Sequence, residues 1–247
     1  MVFIFLISLF SVIANSQAPL DTVSFKKDQK TTGSVNNNTF PWQWIIPGTL
    51  VGLGVWGNFD NNIINRNELK EERYEYLSSF NKRIDDYLPY VSGATVYILH
   101  AAGVKPKHDV INYSVILVKS ELVMIAVTSI LKKSTHVLRP DSSAYNSFPS
   151  GHTAQAFVMA NFLRHEFGHR SIWYSVAGYA FASGVGILRI ANNRHWISDV
   201  LAGAGIGILS SELAYATHKY RWNKKNKLSF FPTYSQTGPG FYLAWQL

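Results

Sequence analysis

The sequence contains no cysteine and few charged residues. Of its 247 residues, 15% are Asp, Glu, Lys or Arg, against roughly 25% in soluble domains. The lack of cysteine excludes disulfide bonds, thiolate nucleophiles and cysteine-based metal sites. The shortage of charge, together with 47% apolar and 14% aromatic residues, indicates a protein that lies in a membrane or at its edge. The length suits one domain, since domains commonly hold roughly 100–200 residues.

The charges that are present are mainly basic, with 23 Lys and Arg against 15 Asp and Glu and a formal net charge of +8. Such an excess is compatible with nucleic acid, anionic lipid or a phosphate-bearing substrate. The basic residues are scattered among apolar segments and form no stripe outside the tail segment KYRWNKKNK. Nucleic acid is therefore not expected as a partner, whereas a small phosphate ester and a membrane are.

The N-terminal segment has the pattern of an export signal. An apolar run of about twelve residues is followed by small residues at Ser16 and Ala18, the spacing of a cleavage site. Residues 1–18 are thus predicted to be a signal peptide cleaved after Ala18. No basic residue precedes the apolar run, which leaves an uncleaved membrane anchor as the alternative. Residues 19–40 are polar and rich in Asn, and are predicted to form a linker.

Six apolar segments follow the linker, and each is predicted to be a helix. They lack the alternation of strands and exceed the usual strand length of about 4–8 residues. The predicted fold class is an all-α bundle that is embedded in a membrane or associated with one. The third segment carries Lys119 and Glu121 near its middle, which is costly for a membrane span. The segments are approximately residues 41–58, 87–104, 110–131, 153–168, 171–190 and 197–217.

Two further stretches have patterns of their own. Residues 66–88 mix charge with Tyr, Leu and Phe at helical spacing, and are predicted to form an amphipathic surface helix. Residues 219–247 form a tail that begins with a basic cluster. Its end, LSFFPTYSQTGPGFYLAWQL, is predicted to form two short strands around a Gly-Pro-Gly turn.

Charged and small residues lie at the ends of the apolar segments, where they can form one site. The fourth segment runs away from the end at which it begins and the fifth returns to it, so both clusters of such residues fall on one side of the bundle. Three cations there would bind an oxyanion such as phosphate, and amide N–H groups at a helix N-terminus would add donors. The cations are Lys132, Arg139 and Arg189, and the amides belong to Ser150, Gly151 and His152.

Two histidines in the same regions predict the catalytic chemistry. His195 and Asp199 are four residues apart and would share a helix face, so the carboxylate orients the imidazole as a nucleophile. His152 would then protonate the leaving group. Taken singly, each of these features is more often a helix cap or a surface ion pair. The remaining histidines have no such company and are predicted to be structural or solvated, and a metal site is not expected.

These residues resemble the three-part motif of the type 2 phosphatidic acid phosphatase family, the superfamily shared with bacterial non-specific acid phosphatases and vanadium haloperoxidases. The matching parts are Lys132 to Arg139-Pro140, then Pro149-Ser150-Gly151-His152, then Arg189, His195 and Asp199, within residues 87–217. One departure is Leu188, where the family usually has Ser. The resemblance implies a domain over residues 41–218 and metal-independent hydrolysis of phosphomonoesters through a phosphohistidine, with no cofactor.

The predicted function is a phosphatase that acts on a phosphomonoester or pyrophosphate, with vanadate or phosphate as inhibitors. Apolar helices and tryptophans such as Trp42, Trp44, Trp56 and Trp173 favour a lipid substrate. The candidates are phosphatidate, phosphatidylglycerol phosphate, undecaprenyl pyrophosphate and a lipid A phosphate, and the sequence does not rank them. The alternatives are a vanadate-dependent haloperoxidase, a soluble periplasmic non-specific acid phosphatase and a non-enzymatic envelope protein.

Loop charges predict the orientation of the site. Residues 105–109, 164–170 and the tail from Lys219 are basic and lie opposite the catalytic loops, and basic loops favour the cytoplasm. If all six segments crossed, the site would instead face the cytoplasm. The loop charges and the number of apolar segments agree if residues 41–58 do not fully cross, or if the protein rests on the membrane. The protein is therefore expected in the inner membrane with a periplasm-facing site, or in the periplasm on the membrane surface.

Overall fold

A computed structural model describes residues 41–59, 71, 75, 83–219, 227–235 and 238–246. The predicted signal peptide and linker lie outside these residues, as does most of the predicted amphipathic helix. Of that helix, residues 71 and 75 are helical. Its last part is not α-helical, because Arg83–Asp86 forms one 3-10 turn and Leu88–Tyr90, which contains Pro89, forms another.

The six predicted helices are confirmed in the described part of the chain. Asp109 caps the start of the third helix by accepting a hydrogen bond from the backbone of Asn112. The same helix ends at Thr135, and the residue that follows it, His136, has a left-handed backbone with a φ of 48°. In chain order the helices are α1 (Trp42–Trp56), α2 (Val91–Ala101), α3 (Val110–Thr135), α4 (Gly151–Phe167), α5 (Ile172–Ala191) and α6 (Ile197–Ala216).

Helix α4 is the central element of the bundle. It packs against α2, α3, α5 and α6, while α1 packs against α6. The largest apolar cluster joins Phe162 and Phe167 of α4 to Val96 of α2 and to Tyr113 and Ile116 of α3. All of these side chains are at most 1% exposed. Burial of their apolar surface therefore stabilises the packing of α4 against α2 and α3.

Glycines of α6 allow its backbone to touch two other helices. A Cβ atom on Gly203 would lie 2.5 Å from the carbonyl oxygen of Ser150 at the start of α4. Gly207 meets the carbonyl of Ala154 in the same way, one turn further along. On another side of α6, a Cβ atom on Gly205 would lie 2.5 Å from the carbonyl oxygen of Pro47 in α1. Such small residues are typical of helix contacts in membrane proteins.

Helices α3 and α6 are long and apolar enough to cross a membrane. They differ in burial, since 72% of the apolar window of α6 is buried in the bundle but only 22% of that of α3. The two charged residues of α3 both have partners. Lys119 Nζ donates to Thr217 Oγ1 at 3.2 Å, and Glu121 Oε1 accepts from Gln155 Nε2 at 2.6 Å.

The tail forms the predicted pair of antiparallel strands, β1 (Lys227–Ser235) and β2 (Gly238–Gln246). The predicted position of the turn is wrong. Ser235 pairs with Gly238 and Thr233 with Gly240, so Gly238, Pro239 and Gly240 begin the second strand. A two-stranded ribbon tolerates Pro and Gly there because each strand has an edge without a neighbour.

A second polar cluster lies at the end of the bundle where α4 and α6 finish. Glu166 is fully buried and accepts from Tyr215 Oη (2.7 Å) and from the backbone of His108 (3.0 Å). Glu212 pairs with Arg164 and lies 3.1 Å from His165 Nε2. These bonds satisfy two buried carboxylates and join the loop before α3 to α4 and α6.

Candidate active site

One end of the bundle collects the helix termini that carry the predicted site. Helices α3 and α5 end there, and α4 and α6 begin there. The charges interact across this end: His195 faces Lys132 and Arg189 as well as Asp199, and His152 faces Arg189 and Arg139. The predicted residues from four separate segments therefore lie together.

The imidazole of His195 lies beside the carboxylate of Asp199, with Nδ1 3.5 Å from Oδ2. The two do not share a helix face as predicted, because α6 begins at Ile197 and His195 lies in the bend before it. Asp199 instead reaches back over the helix start, and its Oδ2 also accepts the backbone N–H of Trp196 at 2.9 Å. This capping contact fixes the carboxylate next to the imidazole.

Ser147 is a site residue that the sequence analysis missed. Its side chain is fully buried, and its hydroxyl donates to Asp199 Oδ2 at 2.5 Å while lying 3.5 Å from His195 Nδ1. The hydroxyl is therefore a third group at the same carboxylate oxygen. Its position directly before Phe148-Pro149 is the only sequence signal, and it lies 48 residues from His195.

The protonation state of His195 follows from its burial, since its side chain is 2% exposed. Burial lowers the pKa of His195 to about 4, and the positive charges of Lys132 and Arg189 act in the same direction. Asp199 opposes this shift but does not overcome it. The imidazole is therefore neutral at neutral pH, which is the form that can attack an electrophile.

The start of α4 is capped by Ser150, whose Oγ accepts from the backbone of Thr153 at 3.4 Å. The prediction that the Ser150 amide is a free donor is wrong, because this N–H donates to the carbonyl oxygen of Asp199 at 2.9 Å. Gly151 and His152 occupy the first two helical positions, where amides have no partner within the helix. The side chain of Lys132 lies beside Gly151, with its Cε 3.9 Å from the position that a Cβ on Gly151 would take.

Asn146 holds two of the cations. Lys132 Nζ donates to its backbone carbonyl at 2.6 Å, and Arg139 Nε donates to its side-chain Oδ1 at 2.8 Å. The loop from Arg139 to Asn146 thus brings the first-motif Lys and Arg to one point. Two other residues of this loop have different surroundings, since Tyr145 is 65% exposed and Asp141 pairs with Arg194 at 3.0 Å.

Arg189 is buried and paired with two aspartates that the sequence analysis missed. Its NH1 lies 2.8 Å from Asp85 Oδ2 and 3.2 Å from Asp86 Oδ1. His152 Nε2 lies 3.3 Å from the same oxygen of Asp86. The aspartates belong to a segment predicted as a surface helix and lie more than 100 residues from Arg189 in sequence, so no local pattern links them.

The site thus contains cations, helix-terminal amides and a neutral, carboxylate-bound imidazole. Among the described residues, no group of three or more His, Asp or Glu side chains could hold a metal ion. Fixed positive charge and aligned amides are the usual means of binding phosphate-like oxyanions in proteins. The fold and the site together define a helical-bundle protein with an oxyanion-binding centre and a candidate histidine nucleophile.

Comparison with known families agrees with this class. Residues 113–223 match the model of the PAP2 superfamily, and this segment contains every predicted site residue. This match over residues 113–223 confirms the resemblance noted in the three motifs. Within the described residues, α3 and α6 are long and apolar enough to cross a membrane.

Particular relatives are also similar. The lipid A 1-phosphatase of Porphyromonas gingivalis is 43% identical over 161 residues, which cover 64% of this chain and 34% of that protein. The chain therefore spans about a third of that relative's length. The solved structure of Aquifex aeolicus LpxE has a TM-score of 0.45 at 20% identity, covering 59% of this chain and 93% of that one.

A transmembrane PAP2-type phosphatidylglycerolphosphate phosphatase from Bacillus subtilis has also been solved. Its structure has a TM-score of 0.46 at 19% identity, covering 71% of this chain and 99% of that one.

Proposed function

We propose that this protein is a phosphatase that hydrolyses a phosphomonoester or pyrophosphate group of a lipid through a phosphohistidine, without a metal cofactor. The observation that carries the proposal is the environment of His195. The imidazole is buried and neutral, bound by Asp199, and faces the charges of Lys132 and Arg189. A neutral nucleophile beside fixed positive charge suits attack on an anionic phosphate.

In the first step, a ring nitrogen of His195 attacks phosphorus and a nitrogen–phosphorus bond forms as the ester oxygen–phosphorus bond breaks. Asp199 accepts the Nδ1–H, so the Nε2 lone pair is the nucleophile. His152 donates its proton to the departing oxygen. The three cations and the first amides of α4 stabilise the negative charge that spreads over the phosphoryl oxygens.

In the second step, water attacks the phosphohistidine. The neutral His152 accepts a proton from this water, and the nitrogen–phosphorus bond breaks to release inorganic phosphate. His195 returns to its neutral form and His152 to its protonated form, so the cycle closes with one water consumed.

The proposed substrate is a phosphorylated lipid. Apolar side chains of α3 face outward from its middle to near the site end, with Leu122 62% and Ile130 66% exposed, so a lipid can reach the site from the bilayer. The similarity to a lipid A 1-phosphatase makes a lipid A phosphate the first of the four candidate lipids to test.

The test is phosphate release by the purified full chain from all four candidate lipids and from p-nitrophenyl phosphate, with chelator present. We expect hydrolysis of at least one lipid, no loss of rate in chelator and no turnover by His195→Ala. Strict dependence on a divalent metal, or acid-labile phosphate trapped on the His195→Ala variant, would show that the assignment is wrong.

A further inference from the structure

The half-exposed carboxylate of Asp86 contacts both a phosphate-binding cation and the proposed general acid. Its Oδ1 lies 3.3 Å from His152 Nε2 and 3.2 Å from Arg189 NH1. The neighbouring Asp85 is 2% exposed and engages Arg189 at 2.8 Å. Asp86 differs in being 47% exposed, so it lies at the opening of the site rather than beneath it.

The proposed chemistry places opposite demands on the two histidines. His195 must be neutral to attack, and its burial ensures this. His152 must carry a proton to give to the leaving group. Its side chain is 41% exposed, so water can solvate the charged imidazolium. Burial of the rest of the side chain and the charge of Arg189 nevertheless lower the pKa of His152.

The charges around His152 come from three parts of the chain. Arg189 at the end of α5 and Arg139 in the loop after α3 disfavour the imidazolium. Asp86 and Asp85 in the 3-10 turn favour it. The carboxylate of Asp85 is already paired with Arg189. The nearest carboxylate that can stabilise a charged His152 is therefore that of Asp86.

We propose that Asp86 is a positioning residue that accepts the Nε2–H of His152 and so keeps the imidazole protonated. The proton given to the leaving group is then the one on Nδ1. This inference rests on the proposed function, which needs a protonated His152. After the proton has left, the contact with Asp86 holds the neutral ring in the tautomer that can take a proton from water.

The kinetic test compares wild type, Asp86→Asn and Asp86→Glu on an alkyl phosphate, whose leaving group needs a proton, and on p-nitrophenyl phosphate, whose leaving group hardly does. For Asp86→Asn we expect kcat on the alkyl ester to fall at least tenfold and kcat on the nitrophenyl ester less than threefold, as general-acid catalysis predicts. The alkaline limb of the alkyl-ester profile should move to lower pH. Asp86→Glu should recover part of the loss. Glu75→Gln, which removes an exposed carboxylate, is the matched control.

A second readout does not depend on turnover. In the substrate-free protein, ¹⁵N NMR should show that His152 titrates at lower pH in Asp86→Asn than in wild type. If neither protein hydrolyses any ester, the proposed function fails while this titration still decides on the ion pair.

Three results would overturn the inference. An unchanged His152 titration would exclude the ion pair. Equal losses of kcat on both esters would indicate a merely structural role. A lower KM with undiminished kcat would show that Asp86 competes with substrate for Arg189.

Discussion

At the scale of single residues, His195 and His152 lie in the same site but in different surroundings. Burial of His195 puts its pKa at about 4, below the ordinary value of about 6.5. The neutral form therefore persists as pH falls through 6 and 5, and is lost only near 4. We predict that ¹⁵N NMR of labelled histidine shows a resonance with this low midpoint that is absent from the His195→Ala spectrum. A midpoint near 6.5 would contradict the buried neutral nucleophile.

Ser147 is expected to contribute to turnover through Asp199. Replacing it with Ala removes a donor from a fully buried carboxylate, and such a loss costs roughly 1–3 kcal/mol. We predict that kcat of Ser147→Ala falls about tenfold, ~1.4 kcal/mol, with little change in KM. Ser183→Ala, at an exposed position of α5, is the control, and equal rates in the two variants would remove Ser147 from the site.

Arg139 is expected to require its guanidinium group. Lys keeps the charge but loses the planar two-point contact to an oxyanion, and also the bond from Nε to Asn146 Oδ1. Arg139→Lys should therefore lower kcat/KM at least tenfold, about 1.4 kcal/mol. Inhibition by vanadate should weaken in parallel, because vanadate occupies the same oxyanion site. Wild-type kinetics in this variant would place Arg139 outside the site.

The sequence predicts the residues that belong to a motif, but not those whose partners are distant. Lys132, Arg139 and Arg189 could be recognised because they lie at or just after the ends of apolar segments, at the spacing of the motif. Asp85 and Asp86 could not, because their role depends on Arg189, 104 and 103 residues away. The sequence predicts that the Ser150 amide binds the anion, because a helix-cap pattern does not show that the carbonyl oxygen of Asp199 in α6 already accepts this N–H.

At the scale of elements, the contact between α4 and α6 sets the site. Gly203 lies against the Ser150 carbonyl at the first turn of α4, so any side chain there must push the two helix starts apart. We predict that Gly203→Ala lowers kcat at least tenfold and also lowers thermal stability. Gly184→Ala is the matched control, because nothing lies within 4 Å of its added Cβ, and Ala favours helix over Gly by roughly 1 kcal/mol.

The outcome of this comparison is read from activity and melting temperature. Similar activity in both glycine variants would show that the helix starts move independently of the site. A fall in stability without a fall in kcat would place the strain elsewhere in α6.

Helices were predicted well because their signal is local. Six apolar runs longer than strands became six helices, and their ends follow caps such as Asp109 and Ser150. The pair of strands was predicted correctly but its register was not, because the Gly-Pro-Gly pattern suits a turn as well as the start of a strand. Pairing of Ser235 with Gly238 depends on cross-strand contacts that a single strand does not reveal.

At the scale of the whole molecule, the site and the basic loops lie at opposite ends. Helix α1 has 15 residues, about 22 Å at 1.5 Å per residue, which is less than the roughly 30 Å of a bilayer core. This length agrees with the first of the two arrangements that the loop charges allow, in which residues 41–58 do not fully cross. We predict a site that faces the periplasm, so intact cells should hydrolyse a membrane-impermeant phosphomonoester.

Cells that produce His195→Ala are the control for this assay, since they keep the protein but lose its nucleophile. Activity that appears only after lysis would place the site in the cytoplasm and reverse the proposed orientation.

The direct contact between the backbones of α4 and α6 also affects how the protein responds to its host membrane. His152 lies in the first turn of α4 and His195 directly precedes α6. The distance between the two histidines is therefore set by the spacing of these two helices, whose backbones already touch at Gly203 and Gly207. Close-packed peptide groups resist compression. A thinner or thicker bilayer would therefore be accommodated by tilt of the outer helices α1 and α3, and the distance between the two histidines would stay constant across membranes of different lipid composition.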